Sequence, residues 1–199
     1  MQLYAVASPL KFKRERPLTG KKRTNNILTI SKRRWFDRKF SFDLEIRAFP
    51  LIVERLRGTP ARIEARIADL APEQLTWKLE SSWSIQENIG HLADLEPLWA
   101  GRLDDILSGA EGLRAADLSN ELTHNADHNS RGIEEIIRTF RKYREELVVR
   151  LDSLDETEVS LSALHPRLRQ PMRTLDMAYF VAEHDDHHMA RVSEILQSL

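Results

Sequence analysis

Apolar positions recur at three- and four-residue steps along four stretches of this chain, and that spacing predicts four amphipathic helices. In the first, Phe49, Ile52, Val53, Leu56, Ile63, Ile67 and Leu70 share one face. Pro60 falls in the same rhythm, so the pattern predicts one helix, kinked or restarted at Thr59-Pro60 and closed by Pro72. The second helix has the sharpest start. Ser84 stands three residues before Glu87, a capping box, and Ile85, Ile89, Leu92, Leu95, Trp99, Leu103 and Ile106 follow. Pro97 should bend it, because its ring meets the carbonyl of Ala93, and Gly109 and Gly112 end it. The third carries Ile133, Ile137, Phe140, Leu147, Leu151 and Leu154, with Tyr143 filling one step and Asn129 or Ser130 as cap. The fourth starts after Pro171, with Thr174 as cap, and runs through Met177, Phe180, Val181, His184, His188, Val192 and Ile195 to the C-terminus.

No strand-like alternation competes anywhere in residues 45–199. Four amphipathic helices of about 20 residues predict an all-α fold, a four-helix bundle. The second and third connections are each about 20 residues, a length that is unusual unless functional. Loops that long can join neighbouring or diagonal helices, so topology stays open.

Composition agrees with this reading. Hydrophobic residues are 41% and charged residues 31%, which suits a soluble globular domain, and Ala, Leu, Glu and Arg favour helix. There is no cysteine, which excludes a disulfide framework, a thiolate nucleophile, a cysteine zinc site and an iron–sulfur cluster. No apolar run approaches the roughly 20 residues of a membrane span, and no secretory apolar region opens the chain, so the expected location is cytoplasmic. Charge divides the chain. Residues 1–39 hold twelve Lys/Arg against Glu15 and Asp37, a balance of +10, which leaves −11 for the remainder of a chain whose total is −1. Residues 1–42 are therefore expected to be a basic, largely disordered extension, and residues 43–199 the bundle. The basic arm reads either as a tether to nucleic acid or an anionic surface, or as an unstructured extension without a role.

Three of the seven histidines fall in one run, Glu183-His184-Asp185-Asp186-His187-His188. Residues four apart on a helix stand one above the other. At about 100° per residue, His184 and His188 straddle the apolar face, while His187 lies about 60° to one side, at the rim. Two buried imidazoles read either as core histidines with separate partners or as ligands of one ion; the pairing on a single apolar face favours the ion. A third ligand is needed, and His91, on the shoulder of the second helix and stacked with Glu87 and Asp94, is the best candidate. Gly90 beside it permits close approach of a neighbour. His124 and His128, in a polar connection, rank below it and could line the mouth of the site. Glu87 and Asp94 are the nearest acids, either as general base or as orienters of the free ring nitrogen of His91. Arg191, on the core-facing side, would pair with one of them or receive an anionic substrate group. Trp83 and Trp99 read as packing rather than as substrate platforms.

The stretch Trp83-Ser84-Ile85-Gln86-Glu87-Asn88-Ile89-Gly90-His91-Leu92-Ala93-Asp94, with the distant His184-Asp185-Asp186-His187-His188-Met189-Ala190-Arg191-Val192, resembles the DinB/YfiT-like superfamily. The likeness covers roughly residues 43–199. It implies a four-helix bundle, frequent homodimers and a three-histidine site for a divalent metal, whose ligands map onto His91, His184 and His188. It also implies a metal-dependent hydrolase or a transferase of low-molecular-weight thiols. Zinc is the expected ion for a histidine-rich site, with nickel, iron or manganese as alternatives. Two other classes stand beside the enzyme: a metal- or ligand-binding module without catalysis, and a nucleic-acid-associated protein acting through the basic arm.

Overall fold

The computed structural model describes residues 34–199, and the expectations for the first 33 residues lie outside the described part. Its elements are α1 (Phe49–Ile67), α2 (Pro72–Thr76), α3 (Ile85–Leu107), α4 (Glu121–Asn125), α5 (Ile133–Asp152), α6 (Glu156–Ser160), β1 (Ser162–Leu164), β2 (Pro171–Arg173) and α7 (Thr174–Ser198). The four long helices are the four that the apolar spacing predicts. α1 runs unbroken through Pro60. Proline there cannot donate to the carbonyl of Leu56, and Nη1 of Arg144 donates to that carbonyl instead, at 3.3 Å. Pro72 does not close α1. It opens α2 at the first helical position, where its missing N–H costs nothing.

The capping box of α3 forms as read. Ser84 Oγ accepts from the N–H of Glu87 at 3.1 Å, and Glu87 Oε2 accepts from the N–H of Ser84 at 2.8 Å. Ser84 is fully buried and its hydroxyl also donates to Oδ1 of Asn129 at 2.7 Å. Asn129 is therefore bound to the N-cap of α3 and does not cap α5, whose N-cap is Gly132, with no side-chain cap. Ser84→Ala is expected to cost about 2 kcal/mol, the upper end for a lost N-cap, and Asn129→Ala clearly less; urea denaturation of the two variants checks this.

Three further expectations change. Tyr143 is exposed and Arg144 takes its place in the buried stripe of α5, between Phe140 and Leu147. Thr174 does not cap α7; its hydroxyl donates to the carbonyl of Glu158 at 2.9 Å. A short antiparallel hairpin pairs Ser162 with Arg173, Ala163 with Met172 and Leu164 with Pro171. Only Ala163 and Met172 face the core, so three-residue strands leave no readable alternation.

α3 packs against α5 and α7, and α1 packs against the same two helices. Around the bundle the order is α1, α5, α3, α7, so α1 stands diagonal to α3, and α5 to α7. The long connections 68–84 and 153–173 cross the ends of the bundle, while 108–132 joins neighbours. Among the described residues, no helix is long and apolar enough to cross a membrane.

The core is divided. One apolar cluster holds Leu56, Trp99, Leu103, Leu147, Leu151 and Val181; the other holds Ile63, Ile89, Leu92, Phe140, Val192 and Ile195. Between them lies a polar layer built from one residue of each long helix: Thr59, Glu96, Arg144 and Asp185, each at most 1% exposed. Arg144 Nη2 donates to Glu96 Oε1 at 2.6 Å and to Asp185 Oδ1 at 3.0 Å, and its Nη1 pairs with Asp185 Oδ2. Thr59 Oγ1 donates to the same Asp185 oxygen at 2.8 Å.

Residues 34–42 pack on the folded unit through aromatic and charged contacts. The ring of Trp35 meets those of Phe180 at 5.1 Å and Phe40 at 5.4 Å, and Arg38 pairs with Glu183 of α7. Aromatic burial and this ion pair outweigh the local charge excess.

Candidate metal centre

α3 and α7 are neighbours, and the shared face carries His91 from one and His184 and His188 from the other. Ring centroids are 4.6 Å apart for His184 and His188, 4.8 Å for His91 and His188, and 5.3 Å for His91 and His184. One nitrogen of each ring lies within 4.8 Å of the others, and all three side chains are buried. The turn of α7 supplies two of these rings, one helical turn apart. The capping box fixes where α3 begins and so sets the height of the third.

The outer partners fix two tautomers. His188 Nδ1 lies 2.9 Å from Oδ1 of Asn88, whose amide donates to the carbonyl of Ser84 at 2.7 Å. Asn88 is thus held with its oxygen towards the ring, and His188 donates from Nδ1, leaving Nε2 as a lone-pair donor. His91 Nδ1 lies 3.0 Å from Thr123 Oγ1, which donates to Asp94 Oδ2 at 2.8 Å. The hydroxyl therefore accepts from His91, and Nε2 of that ring is also a lone-pair donor. His184 differs: its buried Nδ1 has no hydrogen-bond partner among the described residues.

Burial holds all three rings neutral. It lowers His91 to about 4, against the pull of Asp94, and lowers His184 and His188 well below the usual range, with the neighbouring imidazoles acting in the same direction. Neutral imidazoles with buried lone pairs and an unpartnered ring nitrogen are what a divalent ion satisfies. The donor set fits such an ion.

Of the acids read as catalytic, neither lines the cavity beside the triad. Glu87 is engaged in the cap and with Lys78 at 2.7 Å, and that pairing keeps its pKa low against burial. Asp94 sits behind His91, reached through Thr123, and accepts from His128 Nε2 at 2.8 Å. Its Oδ2 meets Thr123 and His128, and Asp94 does not line the cavity. Arg191 lines the cavity but pairs with Glu194 at 2.5 Å, not with Glu87 or Asp94. His187 lines the cavity as well, its ring 5.4 Å from that of His188. His124 stands beside Trp83 at 5.7 Å, and Trp83 itself flanks His91 at 4.8 Å, so this tryptophan is a wall of the site and not only packing.

Gly90 is explained by His128. A Cβ at Gly90 would come within 2.3 Å of the buried His128 ring. Gly90→Ala therefore displaces His128 from Asp94 and is expected to cost about 1–3 kcal/mol. It should also weaken metal binding roughly tenfold through the loosened partners of His91; equilibrium unfolding and a metal titration read the two effects.

The cavity has a volume of about 510 Å3. Its walls include Trp35, Trp83, Trp99 and Phe180, with Trp35 edge-on to His184 at 4.9 Å. The sequence reading missed Trp35, although the aromatic cluster Trp35, Phe36, Phe40 and Phe42 in an otherwise basic segment was a usable signal. It also missed the Glu96–Arg144–Asp185 layer, whose members come from three distant segments.

Residues 55–192 match the family model of the DinB superfamily. No curated protein matches the chain. A solved structure is similar in fold, that of YfiT from Bacillus subtilis, described as "a probable metal-dependent hydrolase with an unusual four-helix bundle topology". The TM-score is 0.72 at 15% identity, covering 81% of this chain and 93% of that one.

Proposed function

The chain belongs to the DinB superfamily, and on that footing we propose that it is a metal-dependent enzyme, a hydrolase or a transferase of low-molecular-weight thiols, whose ion is held by His91, His184 and His188. The observation that carries this reading is the convergence of three buried, neutral imidazoles at one end of a cavity large enough for a small molecule. Zinc is the first choice for such donors, with nickel, iron and manganese as competitors. Three neutral ligands would leave such an ion its full charge, and once bound it would supply Lewis acidity towards a carbonyl, a water molecule or a thiol.

The protein's own groups do the remaining work. Asn88 and the Thr123–Asp94 pair hold two rings in a single tautomer. Trp35, Trp83 and Trp99 exclude water from the wall of the cavity. His187 is the nearest further imidazole on that wall and is placed to accept a proton from a substrate. Asp94, behind His91, is a positioning residue. The test is a screen of ester, amide and thiol-transfer substrates with the zinc-loaded protein. Turnover should vanish in His188→Ala and fall in kcat, with KM little changed, in His187→Ala. Turnover that persists in demonstrably metal-free protein would refute the proposal.

The non-catalytic module is the second reading, and the cavity argues against it: a purely structural ion would be enclosed by its ligands, whereas the three imidazoles line an open volume.

A further inference from the structure

The end of the cavity away from the histidine triad gathers more hydrogen-bond donors than acceptors. Arg102 lines it and is 2% exposed; its Nε donates to the carbonyl of Arg114 at 3.2 Å, but no carboxylate among the described residues pairs with it. The nearest acid in its own helix, Asp105, is taken by Arg114, which donates to it from Nε at 3.0 Å and from Nη2 at 2.8 Å. Buried arginine ordinarily has an anionic partner. Here burial, reinforced by the neighbouring Arg167, holds Arg102 down to about 10.

His165 makes the deficit specific. Its Nδ1 accepts from the backbone N–H groups of Arg167 at 3.2 Å and Leu168 at 3.1 Å. The neutral ring must then carry its proton on Nε2. That nitrogen lies 3.2 Å from Nη1 of Arg102. Two donors therefore face each other with no lone pair between them. Two more groups on the same wall are in the same state: the buried Nη2 of Arg167 and the buried Nε1 of Trp99 have no partner among the described residues. Asp117, the one carboxylate among the described lining residues, is already committed to Ser119 and the N–H of Glu121.

We propose that Arg102, His165 and Arg167 form an oxyanion-binding subsite that receives the carboxylate or phosphate end of a substrate whose other end reaches the histidine triad. This rests on the metal-site reading for the far end of the substrate only. Arg102 lies eleven residues beyond His91 on α3, about 16 Å along the axis at 1.5 Å per residue. The wall between them is apolar, with Leu95, Trp99 and Phe180. The substrate class is thus an elongated molecule with an apolar middle and one terminal oxyanion. A charged acceptor satisfies all the opposed donors at once, which a neutral group cannot.

Octanoate, octyl phosphate and octan-1-ol are suitable probes, titrated by calorimetry into the full-length protein, both chelator-treated and zinc-loaded. At least one oxyanion should bind about tenfold or more tighter than the alcohol. The tighter of the two identifies the substrate end as carboxylate or phosphate. Arg102→Met should abolish the discrimination while leaving octan-1-ol binding unchanged. Because it removes an unpaired buried charge, its melting temperature should not fall; Arg167→Met, at a partly exposed position, gives the same reading should Arg102→Met fail to fold. Equal affinity for acid and alcohol, no binding of any probe, or discrimination that survives both substitutions would overturn the subsite. Discrimination seen only with zinc would place the anion on the ion and overturn it too. Discrimination kept in metal-free protein supports the subsite whatever becomes of the metal reading.

Discussion

Arg144→Met is expected to destabilise the bundle by about 3–5 kcal/mol, the cost of leaving buried charge unpaired. Arg144 is the only cation in the layer that separates the two apolar clusters, and it holds Glu96, Asp185 and the Leu56 carbonyl together. Burial already pushes the Glu96 carboxyl up, with Arg144 pulling the other way. Without the guanidinium, Glu96 stays buried only by taking up a proton, so its folded-state pKa rises further above the unfolded value near about 4. An acid raised on folding contributes stability below its unfolded pKa and loses it as pH rises. The gap between variant and native protein should therefore narrow from pH 7 to pH 4.5 in urea denaturation. Replacing the layer as a unit, Glu96→Leu, Arg144→Met and Asp185→Leu together, should recover most of the loss, because an apolar layer pays no desolvation. Its four members come from the four long helices, so the layer also fixes their relative height. The triple variant tests that as well: a stable protein with the histidine site misaligned would show it as lost metal affinity.

His188→Ala is expected to lower metal affinity by more than the about 10–100-fold that loss of an outer partner costs, and so to yield protein without stoichiometric ion. Asn88→Ala, which only frees the ring of His188, should fall within that range. Binding to the folded state stabilises it by about 4 kcal/mol when free ion is a thousand times Kd, and chelation should remove that increment from the native protein but not from His188→Ala. The metal-free protein should also be acid-sensitive. His91 is lowered to about 4 by burial, and His184 and His188 move the same way. A histidine lowered on folding contributes stability above its unfolded pKa near about 6.5, and this is lost as pH falls towards the folded value. The melting temperature of chelated protein should drop between roughly pH 6.5 and 4, and the drop should shrink in His188→Ala.

The helices and the histidines were legible because both signals are local. Apolar spacing, the Ser84–Glu87 box and two rings four residues apart report on one element at a time, and α1, α3, α5 and α7 follow them closely. What was not legible depends on partners from elsewhere. Tyr143 and Arg144 are adjacent, and an apolar stripe favours the tyrosine; only Glu96 and Asp185 from two other helices make the arginine the buried one. Asn129 looked like a cap, but Ser84 claims it. The diagonal order of the helices is set by packing that long loops permit without specifying. Asp94 was seen as a neighbour of His91, yet its link runs through Thr123, whose place in a polar connection gave no sign of it. The basic residues around Trp35 hid an aromatic segment that closes the site.

X-ray absorption at the zinc edge, on protein reconstituted with one equivalent and compared with His91→Ala, His184→Ala and His188→Ala, tests the central claim most directly. The account predicts one ion per chain with three imidazole nitrogens at about 2.0–2.1 Å, and loss of that signature in each variant. An unchanged spectrum in any of the three, or a coordination shell without imidazole, would contradict it.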